Sequence, residues 1–123
     1  MKATELMIGD WVLEDGTPQR ITLTRIVENY IPDMALSYKP IPLTEEILEK
    51  NFGKADKDKD YNILTEGQGD TYVHTEKDGF YFMFGRTAYC DYNMYIKVET
   101  VHKFQHTLRL CGLHELADNF KVL

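Results

Sequence analysis

Along the first third of the chain, apolar and polar positions alternate in short stretches. Gly9-Asp10-Trp11-Val12-Leu13-Glu14 runs into the turn signal Asp15-Gly16-Thr17-Pro18. The segment Arg20 to Val27 follows, with Ile21 and Leu23 two apart among threonines. Period two suits a strand with one buried and one wet face, and an Asp-Gly pair in a short connection predicts a hairpin. Pro32, Pro40 and Pro42 then confine Ala35 to Tyr38 to a short strand at a sheet edge, since proline brings no N–H to a ladder.

The pattern next turns helical. Thr44 is placed to cap a helix over 44–52, with Glu45 and Glu46 where the helix dipole favours negative charge and Gly53 as a left-handed stop. Leu43 and Leu48 stand at the staple spacing, and Ile47, Leu48 and Phe52 form the apolar stripe. After the charged run Lys54 to Asp60, period-two stretches predict strands at Tyr61 to Thr65, Thr71 to Glu76, Phe80 to Phe84 and Asn93 to Val98. Glu66 to Asp70 reads as a turn, Lys77-Asp78-Gly79 as a compact hairpin connection, and Gly85 to Asp91 as a loop. A second helix over 101–111 follows from Val101, Phe104, Leu108 and Cys111 at intervals of three, four and three, capped by Thr100 and ended by Gly112. Leu113, Leu116, Ala117 and Phe120 leave room for a further short helix, with Lys121-Val122-Leu123 as its continuation or as extended chain.

The run Phe80-Tyr81-Phe82-Met83-Phe84 is apolar on both strand faces. That composition suits a central strand covered on both sides, or one that presents a face to a partner; core packing is the reading adopted. The flanking tyrosines Tyr72, Tyr89, Tyr92 and Tyr95 are the candidate partner-binding residues, because tyrosine joins apolar area to a hydrogen-bonding tip.

Composition narrows the class. A chain of 123 residues with 43% hydrophobic, 28% charged and 12% aromatic residues is expected to form a single globular domain over 1–123. Fourteen Lys and Arg against twenty Asp and Glu leave a net charge of −6, which disfavours nucleic acid and anionic membranes as partners. Leu6-Met7-Ile8 is halted by Gly9-Asp10 far short of a signal core, and no stretch approaches the ~20 apolar residues of a membrane helix. Cys90 and Cys111 do not form a CxxC pair and read as reduced thiols, so a cytoplasmic setting is expected.

Several constellations approach known chemistry and then depart from it. Asp56, Asp58 and Asp60 have the first three spacings of a calcium loop, but Tyr61 replaces the turn glycine and Gly67 the bidentate glutamate. A solvated loop is the expectation. His102 and His106, one helical turn apart, are the weak metal candidates; Lys103 stands where a zinc-protease helix carries its general-base glutamate. The expected role of His102, Gln105, His106 and Arg109 is a polar shoulder of the second helix. Gly79-Phe80 and Phe82 echo an RNA-binding sheet motif, with Asp78 and Tyr81 against it. Leu110 to Ala117 has the rhythm of a helix-turn-helix corner, yet Glu115 and Asp118 follow where a groove reader needs basic residues. No GxSxG, phosphate-cradling glycine loop or dinucleotide fingerprint occurs, and a cysteine-histidine pair assembled in space from Cys90 or Cys111 is the remaining catalytic option.

Three stretches carry a resemblance. Ile8-Gly9-Asp10-Trp11-Val12, Pro40-Ile41-Pro42-Leu43-Thr44-Glu45-Glu46-Ile47-Leu48-Glu49-Lys50-Asn51-Phe52-Gly53, and Tyr95-Ile96-Lys97 leading to Val101-His102-Lys103-Phe104-Gln105 occur in that order. Together they resemble a family of small uncharacterised proteins from gut anaerobic bacteria and their phages or mobile elements, in which PIPLTEE-x-L and VH-x-[LF]-Q anchor the two helices. The ending Cys111-Gly112-Leu113-His114 departs from that pattern. The resemblance implies a phage- or mobile-element-linked setting and brings no activity, ligand or functional residue with it.

The expected fold is therefore α+β: a twisted antiparallel sheet that begins as a small-barrel-like meander, crossed by two short helices. The expected function is a non-enzymatic cytosolic accessory or protein-interaction module without catalytic residues or cofactor. The alternative is a small enzyme or ligand-binding protein whose site is built from Tyr, His and Cys side chains. A deep pocket converging on His102, His106 or Cys90 favours the alternative, and a flat tyrosine patch favours the interaction module.

Overall fold

A computed structural model describes residues 6–22, 38–63, 71–84 and 94–123, with the backbone alone for Met94. In chain order the elements are β1 (Trp11–Glu14), β2 (Thr17–Arg20), β3 (Tyr38–Pro40), α1 (Glu45–Phe52), β4 (Asp60–Asn62), β5 (Tyr72–Glu76), β6 (Gly79–Phe84), β7 (Met94–Val98), α2 (Val101–Leu110) and α3 (His114–Asp118). The class is α+β; among the described residues every strand pair is antiparallel, and the strands form two open sheets of three and four. The chain forms two compact units: Met1–Pro42 with Thr100–Leu123, and Leu43–Glu99.

In the first unit β1 is the middle strand of the order β2-β1-β3. Asp15 and Gly16, with φ of 51° and 80°, make the two-residue turn whose twist matches the strands it joins. The turn is therefore shorter than Asp15 to Pro18, and Thr17 and Pro18 already belong to β2. Pro18 is tolerated there because it pairs with Leu13 on an edge strand, one step beyond the pair that flanks the turn. At that register the ladder asks no N–H of it. β2 ends at Arg20, so Ile21 and Thr22 of the strand expected over Arg20 to Val27 do not continue it, and residues 23–37 lie outside the described residues. β3, Tyr38–Pro40, lies at the edge of the described sheet; of the edge strand expected over Ala35 to Tyr38, only Tyr38 is among the described residues. Leu6, Val12, Ile21 and Tyr38 form one buried cluster.

The helix α2 lays Val101, Phe104 and Leu108 inward, all fully buried, as the three–four spacing requires. Its end is a Schellman stop: the Gly112 N–H donates to the Arg109 carbonyl at 3.0 Å and the Leu113 N–H to the Leu108 carbonyl at 2.8 Å. Gly112 sits at φ 79°, a region where a Cβ is unfavourable. Cys111 is the half-buried C-cap rather than a member of the core stripe. The reserved third helix is present as α3, and Phe120 beyond it packs edge-on against Phe104 at 5.5 Å.

In the second unit α1 is capped as its sequence dictates. The Ile47 N–H donates to Thr44 Oγ1 at 3.3 Å, and Gly53, at φ 82°, returns its N–H to the Glu49 carbonyl. Leu43 and Leu48, the staple pair, are both buried. The four-stranded meander runs β4-β5-β6-β7, and its registers sort the side chains by face. Tyr61, Val73, Phe82 and Ile96 share one cross-strand row; Thr75, Phe80 and Val98 share the next. Tyr61, Val73, Phe82 and Val98 on this face are buried, as are Ile47 and Leu48 of α1. The connection between β5 and β6 is the pair Lys77-Asp78, with Gly79 at φ 140° opening β6.

Candidate interaction surface

The other face of the four-stranded sheet carries the polar and aromatic residues. Asp60, His74, Tyr81 and Lys97 lie opposite one another across the four strands, and Asn62, Tyr72, Met83 and Tyr95 form the neighbouring row. Strand periodicity puts both rows on one side, because positions two apart share a face. The aromatic-rich β6 is thus split by the pleat: Phe82 is buried, while Tyr81 and Met83 face the other way and stay half-buried. Neither expected arrangement holds in full, since only one face of the strand serves the core.

Tyr81 and Tyr95 are diagonal neighbours and stack with centroids 4.9 Å apart and planes 5° from parallel. Diagonal pairs on adjacent strands are within reach of aromatic side chains. The Tyr81 hydroxyl donates to Asp78 Oδ2 at 2.8 Å, and the Tyr95 hydroxyl to Glu76 Oε1 at 3.5 Å. The bond to Asp78 raises the Tyr81 phenol above its ordinary value and lowers the Asp78 carboxyl. Burial, followed by the Glu76 charge, raises Tyr95. Both phenols are therefore neutral near pH 7. Lys97 Nζ lies 3.6 Å from Asp78 Oδ2 and 3.6 Å from Glu99 Oε1. His74 pairs through Nδ1 with Asp60 and lies 3.3 Å through Nε2 from Glu76. A polar frame of mostly negative groups thus surrounds a tyrosine centre.

Two of the four tyrosines singled out in the sequence, Tyr72 and Tyr95, meet on this face. Tyr89 and Tyr92 lie outside the described residues, as do Cys90 and the expected 85–91 loop. Tyr81 belongs with the pair and was hidden by its neighbours, because a phenylalanine on either side masks the alternation. Its signal is phase: Tyr81 and Met83 are, with Gly79, the positions of β6 in step with Tyr72 and Tyr95.

The histidine pair is placed differently from the expected polar shoulder. His102 and Gln105 are buried, and they belong with Asp10 to an interior network of the first unit. Asp10, 0% exposed, accepts from Arg109 Nη1 at 2.7 Å, from the Met7 N–H at 2.7 Å, and pairs with His106 Nε2 at 2.6 Å. Gln105 accepts from the Trp11 N–H at 2.9 Å and donates to the Gly9 and Ala117 carbonyls at 2.8 and 2.9 Å. The Trp11 indole donates to the Phe120 carbonyl at 2.7 Å, and the Arg20 guanidinium lies 5.7 Å over its ring. These side chains tie the start of β1 to α2 and α3 by satisfying backbone groups that the sheet leaves open. The His102 ring stands edge-on to His106 at 5.7 Å. Among the described residues no group of three His, Cys, Asp or Glu side chains is placed to hold a metal ion.

The aspartate run is also accounted for. Asp56 Oδ1 accepts from the Asp58 and Asp60 N–H groups at 2.9 and 3.1 Å, and Oδ2 accepts from Asn62 Nδ2 at 3.2 Å. Asp56 thus closes its own loop, and Asp60 turns to His74 instead of joining it. Cys111 is a free thiol whose pKa is raised by burial, which leaves it a poor nucleophile. No described helix is long and apolar enough to cross a membrane. Comparisons with protein-family models, with curated proteins and with solved structures return no match to this chain.

Proposed function

We propose that the chain is a non-enzymatic cytosolic accessory or protein-interaction module, of a phage or mobile-element setting, that holds a protein partner on Tyr72, Tyr81 and Tyr95. The observation that supports this reading most is the convergence of three tyrosines on one sheet face, with Tyr95 45% exposed. Tyrosine is enriched among residues that dominate binding energy, and a stacked pair already ordered in the free protein loses little entropy on association. Asp60, Glu76, Asp78 and Glu99 surround the centre, so the partner segment carries Lys or Arg. The net charge of −6 points the same way and argues against nucleic acid.

The test is chemical cross-linking and co-purification from the native host, wild type against the double variant Tyr81→Ala, Tyr95→Ala. A hot-spot pair of this kind is expected to account for about 2 kcal/mol or more, roughly a thirtyfold loss of affinity. The expected outcome is loss of one defined partner while the variant stays folded by circular dichroism. Equal recovery by both proteins overturns the proposal. Tyr89→Ala with Tyr92→Ala in the same assay extends it to the two tyrosines outside the described residues.

A further inference from the structure

A second feature of the unit Leu43–Glu99 is unrelated to the tyrosine face. Glu45, Glu49, Lys54, Ala55, Lys59, Tyr61 and Thr75 line a cleft of about 340 Å³. That volume lies within the range of small-molecule sites, about 300–1,000 Å³. Glu45 and Glu49 are one turn apart on α1, so both carboxylates project from the same helical face. Lys54 and Lys59 bound the loop between α1 and β4, and none of these four charged groups is in a salt bridge with another described residue.

Tyr61 supplies an independent observation. It is 2% exposed, yet its hydroxyl makes no hydrogen bond to any described residue. Buried polar groups are nearly always satisfied, and an unmade bond costs about 1–3 kcal/mol. Tyr61 lines the cleft with Glu45 and Glu49, and burial, followed by the charges of these two glutamates, raises its pKa. It is therefore a neutral phenol, able to donate one hydrogen bond and to accept another. Apolar filling cannot satisfy such a group, whereas a polar ligand in the cleft can.

We propose that this cleft is a binding site for a small zwitterion of the amino-acid type. Its ammonium group is held by Glu45 and Glu49, its carboxylate by Lys54 and Lys59, and the Tyr61 hydroxyl completes the polar contacts. A small cleft lined by both signs, with no salt bridge between its acids and its lysines, matches a ligand that carries both charges, and either charge alone leaves half of the lining without a partner.

The experiment titrates the full-length, isotopically labelled chain with a panel of free L-amino acids and follows backbone amide shifts. Ethylamine and acetate serve as single-charge probes. Saturable shifts confined to residues around 45–61 and 75 are expected with at least one amino acid, and markedly weaker ones with either single-charge probe. Glu49→Gln and Lys54→Gln are exposed changes and are expected to weaken binding about tenfold or more each. Tyr61→Phe is expected to weaken binding while leaving the free protein at least as stable to heat, because it deletes an unsatisfied hydroxyl. Absence of saturation with every amino acid overturns the proposal. So does binding of ethylamine as tight as that of the amino acids, or affinity unchanged by Glu49→Gln and Lys54→Gln. The tyrosine-face variants Tyr81→Ala and Tyr95→Ala leave this binding intact, so the two readings fail separately.

Discussion

Asp10 shows how much one buried side chain can hold together. Its carboxylate is wholly buried and takes up the Arg109 guanidinium, the Met7 N–H and the His106 ring. Removing one member of a buried ion pair leaves the other charged and unsatisfied, at a cost of about 3–5 kcal/mol. Asp10→Ala is therefore expected to lower stability by that order in urea denaturation, far more than Glu46→Ala on the wet side of α1. A milder prediction concerns acid. Hydrogen bonds from the Asp60 N–H and then from Asn62 hold the Asp56 carboxyl below its ordinary value of 3.8. A carboxyl depressed on folding adds stability above its unfolded pKa and loses it as pH falls through the folded one. The stability difference between wild type and Asp56→Asn is thus expected to shrink below about pH 4, as followed by denaturation at stepped pH. On the tyrosine face the sign is opposite. Asp78→Asn removes the first cause of the raised Tyr81 pKa, so ultraviolet titration is expected to show one phenol ionising at lower pH.

At the scale of elements, the two main helices differ in how far their own sequence secures them. Thr44 caps α1 by accepting from Ile47, so Thr44→Ala is expected to cost about 1 kcal/mol. Thr100 has the extended backbone of a cap, yet its hydroxyl lies 3.4 Å from His102 Nδ1 and accepts from no helix N–H. Thr100→Ala is expected to cost clearly less, and denaturation of the two variants side by side decides the matter. The stop of α2 depends on Gly112 at φ 79°, and Gly112→Ala is expected to cost about 1–2 kcal/mol. The Thr44 cap and the Gly112 stop were legible because caps and stops act within a few residues, whereas the side-chain cap expected of Thr100 is not made. The phase of β6 was not, because each of its residues is apolar or aromatic and only cross-strand register separates Phe82 from Tyr81.

For the molecule as a whole, the two chain ends build one unit. Phe120 closes it twice, through its ring on Phe104 and through its carbonyl on the Trp11 indole. Phe120→Ala is expected to cost about 3–5 kcal/mol, as large core truncations do. Trp11 is the sole tryptophan, so its fluorescence reports this unit, and a lowered urea midpoint in that signal is the measurement.

The amino-acid sequence by itself determined the α+β class, the extent of α1, the stop at Gly112, the edge placement of the third strand and the acidic balance. All of these follow from short-range sterics, capping and composition, which need no knowledge of distant neighbours. Tertiary structure alone decided that His102, Gln105 and His106 serve the interior, that Tyr81 joins Tyr72 and Tyr95, and that Tyr61 lines one cleft with Glu45 and Glu49. Those outcomes depend on which strand lies beside which and in what register. A polar side chain far along the chain is satisfied or exposed only once that pairing brings its partners near.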